Sequence, residues 1–122
     1  MLELKRVRFA YPGADRTYDF SMTADAGEIA LIAGRSGSGK STLLDLIAGF
    51  QTATSGSIRL DQIQCTALPP EQRPVSILFQ NDNLFDHLTV KKNLELALPR
   101  GTSRPAMDSA VATALRQVDL PD

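Results

Sequence analysis

The run Gly34-Arg35-Ser36-Gly37-Ser38-Gly39-Lys40-Ser41-Thr42 has the residue types and spacing to hold a polyphosphate. It fits G-x-x-x-x-G-K-[ST]. Its glycines let the backbone turn tightly around an anion and point N–H groups inward. A helix that follows aims the positive end of its dipole at the same place. Lys40 would bridge the β- and γ-phosphates as a point charge, and the Ser41 hydroxyl would be one ligand of the Mg²⁺ that accompanies a nucleoside triphosphate.

The loop is expected between a strand and a helix. Glu28-Ile29-Ala30-Leu31-Ile32-Ala33 enters it and is nearly all apolar, which predicts a strand buried on both faces. Leu43, Leu46, Ile47 and Phe50 follow at helical spacing, with Gly49 as terminator. A flexible Gly/Ser linker would carry neither Lys-Ser-Thr nor an amphipathic helix behind it.

The chain has 122 residues and a formal net charge of −1, so its length fits one domain and no overall basic field draws it to nucleic acid or an anionic membrane. A single cysteine, Cys65, excludes an internal disulfide, suits a reducing compartment and reads as a small half-buried side chain. With His87 as the sole histidine, a multi-histidine metal site is impossible. No apolar run reaches membrane-spanning length and the N-terminus has no signal-peptide pattern, which predicts a soluble, cytoplasmic protein.

Leu2, Leu4, Val7 and Phe9 form a strand-like opening whose alternation slips by one between Leu4 and Val7, predicting a bulge. Tyr11 to Asp15 reads as a turn, and Tyr18, Phe20 and Met22 alternate cleanly in a second strand. Ala26-Gly27 turns the chain towards the loop. Ser57 to Leu60 is a short strand, with Ile58 and Leu60 on one face. Leu68 to Pro74 is a proline-punctuated loop, and Val75 to Phe79 reads as a central strand ending at Gln80. Thr89 is placed to cap a helix from Val90 to Leu98, broken by Pro99-Arg100-Gly101. Ser103 is placed to cap a last helix, with Pro105 in its first turn and a stripe of Met107, Val111, Ala114, Leu115 and Val118.

Together these segments resemble the ATP-binding subunit of ABC transporters, and within that family the import ATPases. The likeness rests on Phe9-Ala10-Tyr11-Pro12, on Gly34 to Thr42 with Leu43 to Gly49, on Thr54-Ser55-Gly56-Ser57-Ile58, and on Arg73 to Gln80. The wording from Phe79 to Val90 is most similar to the ATPases of bacterial thiamine importers; molybdate, iron, sulfate and polyamine importers use closely similar ATPases. The fold implied is α/β, a P-loop NTPase fold of ABC ATPase type. It would comprise an antiparallel β subdomain, the first part of the parallel core sheet and the start of the helical subdomain. Residues 1–80 would be the β subdomain and P-loop core. Residues 81–122 would be the coupling loop and the start of the helical subdomain.

The resemblance also implies roles. The cofactors are ATP and Mg²⁺. Tyr11 matches the aromatic that stacks on adenine; on its residues alone it fits a turn tyrosine equally well. Gln80 matches the glutamine that reaches Mg²⁺ and the attacking water, where a polar strand end is the plainer reading. Asn83 to Thr89 match the surface where a membrane permease's coupling helix docks, and Leu84 and Phe85 also fit a small satellite core. A second ATP-binding subunit completes each site in the family. The implied location is the cytoplasmic side of the inner membrane, peripheral through the permease.

Two departures from the family stand out. Asp61-Gln62 occupies a turn that usually reads Asp-Gly or Asn-Gly, predicting a cost of about 1 kcal/mol if Gln62 takes a positive φ. The signature segment, the strand ending in the catalytic carboxylates and the switch histidine do not occur in this sequence. The expectation is an ABC-type transport ATPase by family, cut inside its helical subdomain, that binds nucleotide without hydrolysing it. The competing readings are a non-catalytic fragment that docks on a membrane partner, an ABC ATPase of DNA repair or translation, and a small P-loop kinase. The last is disfavoured by the two strands that precede the loop.

Overall fold

A computed structural model describes residues 1–120. The chain forms two compact units, Met1–Ile77 and Leu78–Asp122.

The first unit is built on a four-stranded antiparallel sheet of order β2-β1-β3-β4. Its strands are β1 (Leu2–Ala10), β2 (Thr17–Ala24), β3 (Ser55–Leu60) and the short β4 (Ile63–Gln64). The expected bulge is present. Leu4 faces Met22 and Val7 faces Phe20, so β1 spends one more residue than β2 across the same span. Arg6 takes the extra step at φ 46°. On the other edge, β3 comes so close that a Cβ on Gly56 would lie 2.2 Å from the Arg6 carbonyl oxygen. The bulge resets the alternation, and Leu4, Val7 and Phe9 all enter the core.

The helix after the loop, α1 (Lys40–Ala48), packs Leu43 and Leu46 against Leu4, Val7, Phe9, Ile58, Leu60 and Cys65. Each such large apolar side chain contributes about 1.5–3 kcal/mol by leaving water. Cys65 is fully buried, where the sequence suggested half. Gly49 ends α1 in the left-handed conformation, φ 89°, and donates its N–H to the Asp45 carbonyl. Phe50 lies beyond this cap and is exposed, so it is not part of the helix's apolar face.

Arg73 closes the base of α1. Its Nη1 donates to the carbonyls of Leu46 (2.6 Å) and Ile47 (3.0 Å), and its Nε donates to that of Leu68 (2.8 Å). Nη2 reaches the Thr66 carbonyl at 3.4 Å. A planar cation thereby satisfies the free acceptors at a helix C-terminus, where the dipole also favours positive charge. Burial lowers its pKa from the ordinary arginine value.

Two expected strands do not form. Residues 28–33 and 75–79 have no ladder, and Ile29, Leu31 and Leu78 are 95 %, 91 % and 85 % exposed. A doubly buried parallel strand exists only with neighbours on both edges, and among the described residues no strand pairs with either run. The Asp61-Gln62 turn also differs. The positive φ falls on Asp61 (51°) and not on Gln62. Aspartate tolerates that region better than most residues, and here its carboxylate also pairs with the Met1 ammonium group.

The second unit contains α2 (Val90–Glu95) and α3 (Arg104–Gln117). Thr89 caps α2 by accepting from the Lys92 N–H at 3.3 Å, but the helix stops at Glu95, short of Leu98. Ser103 sits at the N-cap of α3 without a side-chain capping bond. Val111 is buried, Met107, Ala114 and Leu115 are half-buried, and Val118 is exposed just past the last turn. Lys91 donates to Asp108 at 2.6 Å, and Arg104 lies 3.6 Å from both Asp108 and Glu95.

Arg73→Ala strands several buried carbonyls, and we expect a loss of about 3 kcal/mol in urea-induced unfolding. Arg73→Lys recovers only part of it, because an ammonium group lacks the planar fork. The hydrogen bond from Lys91, aided by the fields of Lys91 and Arg104, holds the Asp108 carboxyl below the usual carboxylate range. Its contribution to α2–α3 pairing is therefore complete above the unfolded carboxylate pKa and is lost as pH falls through the lower folded value. A carbon-detected NMR titration shows a depressed Asp108 midpoint that rises in Lys91→Met; an unchanged midpoint refutes the pairing.

Candidate functional site: the phosphate loop and its cleft

The phosphate loop lies in the first unit, between the 28–33 run and α1. Gly37 (φ 78°) and Gly39 (φ 103°) supply its left-handed steps. Gly39 is buried and is also the N-cap of α1, so the chain passes from the loop straight into the helix. A Cβ at Gly39 would lie 2.6 Å from the Tyr18 ring, and one at Gly34 would lie 2.6 Å from Ser38 Oγ. Glycine is therefore required at 39, by its φ and by the ring, whereas at 34 an added Cβ would displace the Ser38 side chain.

Lys40 Nζ folds back over the loop, donating to the carbonyls of Gly34 (2.7 Å) and Arg35 (2.8 Å), with Ser38 Oγ at 3.4 Å. The ammonium is thus held at the mouth of the loop by ligands that an anion can replace. Ser41 is exposed, while Thr42 is buried. A cleft of about 360 Å³ opens here, lined by Tyr18, Ser36, Gly37, Gly39, Lys40, Ser41 and Thr42. Its chemistry is that of a polyanion site: glycine backbone, a lysine ammonium, two serine hydroxyls and a helix N-terminus. These residue types fit a magnesium nucleotide: an ammonium group suits phosphates, and an exposed serine hydroxyl suits the cation.

The structure brings Gly34 to Thr42 together and places Tyr11 one contact away. Tyr11 is half-buried, edge-on to Phe9 with centroids 4.8 Å apart, and its hydroxyl shares a 3.0 Å hydrogen bond with Thr42 Oγ1. It is absent from the residues lining this cleft, whereas Tyr18 is among them. Tyr18 carries Arg16 over its ring at 4.7 Å, and Arg16 Nη1 donates to the Gly37 carbonyl at 2.5 Å. Sequence reasoning left Arg16 unassigned and read Tyr18 only as a strand residue. Neither falls inside a recognisable motif, and each meets the loop through a contact about twenty residues away in sequence.

Gln80 and the segment after it lie in the second unit. Gln80 is exposed and lines a shallow cavity with Asn81, Asp82, Asn83, Leu84 and Asp86. The Asn83 amide clasps the backbone of Phe79, accepting from its N–H at 2.8 Å and donating to its carbonyl at 2.6 Å. Gln80 therefore rides on a closed loop. Asn93, ten residues on, acts in a similar way. Its Oδ1 accepts from the Phe85 N–H at 2.8 Å, and its Nδ2 is shared among the Phe85, Leu88 and Thr89 carbonyls. This loop presents Leu84 and Phe85 at the surface and forms a mostly apolar groove of about 180 Å³ with Leu88, Val90 and Leu94. His87 packs edge-on to Phe85 at 5.9 Å.

Comparison with known proteins extends these observations. The family model described as "ABC transporter" matches residues 17–122. The thiamine import ATP-binding protein ThiQ of Brucella suis is 48 % identical over 98 % of this chain and 49 % of its own length. ThiQ of Escherichia coli is 50 % identical over 79 % of this chain and 41 % of its own. The chain thus spans about half the length of the curated relatives it matches. Among solved structures, a dimeric post-hydrolysis state of the ATP-binding cassette MJ0796 bound to ADP and Pi superimposes with a TM-score of 0.80. That superposition has 26 % identity and covers all of this chain and 59 % of the other. With the phosphate loop in place, the matched antiparallel sheet and this likeness over its whole length, the chain belongs to the ABC transporter ATP-binding family.

Proposed function

We propose that this chain supplies the nucleotide-holding part of an import ATPase whose solute is thiamine. The observation that carries the reading is the loop itself, with its left-handed Gly37 and Gly39, Lys40 at the mouth and Ser41 open beside it. The names of the relatives at 48 % and 50 % identity support thiamine as the solute.

In this reading Lys40 exchanges the Gly34 and Arg35 carbonyls for phosphate oxygens and neutralises their charge. The backbone N–H groups at the start of α1 hold the phosphates, and the Ser41 hydroxyl is offered to Mg²⁺. A bound magnesium nucleotide supplies the scissile phosphoanhydride and the cation that screens it. Tyr11 grips the adenine by stacking, its orientation fixed by Phe9 and Thr42. The apolar groove around Leu84 and Phe85 takes a permease helix, which places the protein peripherally on the cytoplasmic side of the membrane. Among the described residues no helix is long and apolar enough to cross a membrane itself. A second ATP-binding subunit completes the catalytic site, and residues 1–122 alone bind nucleotide without turning it over.

Calorimetric titration with ATP and Mg²⁺ tests this. The chain binds saturably, and Lys40→Ala weakens binding by at least about tenfold, the loss of one charge-assisted contact. A coupled assay records no hydrolysis by the 122-residue chain; turnover abolished by Lys40→Ala would overturn that part of the proposal. Gly39→Ala meets both a forbidden φ and the Tyr18 ring. It should cost about 2 kcal/mol in unfolding experiments and remove nucleotide binding.

A further inference from the structure

We propose that Arg16 is a positioning residue for the phosphate loop, a latch that fixes the Gly37–Ser38 peptide and sets a second cation beside the loop. It rests on the nucleotide-binding reading above. Gly37 lies in the left-handed region at φ 78°, where glycine is conformationally permissive. Arg16 Nη1 donates to the carbonyl of that residue at 2.5 Å. In a planar trans peptide the carbonyl and the following N–H point in opposite directions. Holding the Gly37 carbonyl outward therefore holds the Ser38 N–H on the opposite side, where at present it donates to the Arg35 carbonyl at 3.1 Å.

The latch is itself supported. The Arg16 guanidinium lies 4.7 Å from the centre of the Tyr18 ring, a cation–π contact. Tyr18 stacks on Phe20, with centroids 6.0 Å apart and planes at 10°, and both rings lie against the face where Gly39 lacks a side chain. Strand β2 and the residue just before it thus reach the loop at two points, through ring packing at Gly39 and through Arg16 at Gly37. Lys40 holds the Gly34 and Arg35 carbonyls from the helix side. The two cations pin different carbonyls of one loop. Removing Arg16 frees the Gly37–Ser38 peptide and lowers the positive potential where a phosphate chain enters.

The test separates a phosphate-specific role from a merely structural one. Binding of ATP with Mg²⁺, of inorganic pyrophosphate and of adenosine is measured for the full 122-residue chain and for Arg16→Ala, Arg16→Lys and Lys40→Ala. Arg16→Ala should weaken ATP and pyrophosphate by about tenfold, leave adenosine unchanged and leave the thermal midpoint within error. Arg16→Lys should recover part of the loss, because lysine restores a charged donor but not the planar stacked fork. An equal loss for adenosine and ATP, or no loss in Arg16→Ala while Lys40→Ala abolishes ATP binding, overturns the latch and leaves the nucleotide reading intact. Failure of the unaltered chain to bind either ATP or pyrophosphate overturns both.

Discussion

The phosphate loop is only as well placed as the helix behind it, and that helix depends on one buried guanidinium. Arg73 binds the carbonyls of Leu46 and Ile47 at the end of α1 and those of Thr66 and Leu68 in the connection after β4. The helix is short, nine residues from Lys40 to Ala48, too short to persist on propensity alone. Its core face, with Leu43 and Leu46, holds it to the sheet, and Arg73 fixes its axial position. The same cation complements the negative end of the helix dipole, while Lys40 stands at the positive end with the anion site. Gly49 leaves room for this arrangement, since a Cβ there would lie 2.6 Å from Arg73 Nε.

How much of this was legible in the sequence depended on the range of the interactions involved. The loop, the Gly49 cap, the bulge between Leu4 and Val7 and the Thr89 cap are written in short windows, and the structure has all of them. The runs 28–33 and 75–79 carry the composition of buried strands. A strand is nevertheless a relation between segments, and no described strand lies beside either one. Their exposed side chains record an apolar pattern without its partners. Asp61 shows a finer limit: turn chemistry located the positive φ to within one residue but chose the wrong one.

The site divides in the same way. Gly34 to Thr42 could be named from a motif because backbone geometry and charge dictate those residue types at that spacing. Arg16, Tyr18 and Arg73 could not, since each acts through a contact with a residue many positions away. Asn83 and Asn93 form an intermediate case. Each replaces a strand partner for a short piece of backbone, so a loop rich in apolar side chains is held without a sheet. Leu84 and Phe85 are carried at the surface of that loop.

The bulge in β1 has a consequence for how this chain can be edited. Against β2, the step from Leu4 to Val7 is matched by Met22 to Phe20; against β3, the step from Lys5 to Arg8 is matched by Ser57 to Ser55. The strand therefore has one residue of slack relative to both neighbours, located where Arg6 bends backwards. Strands usually tolerate length changes only in twos, because a single excision turns every later side chain inside out. Here the arithmetic is inverted. Shortening this stretch by one would place Leu2, Leu4 and the residues now numbered Val7 and Phe9 in plain alternation, with no core side chain sent to solvent.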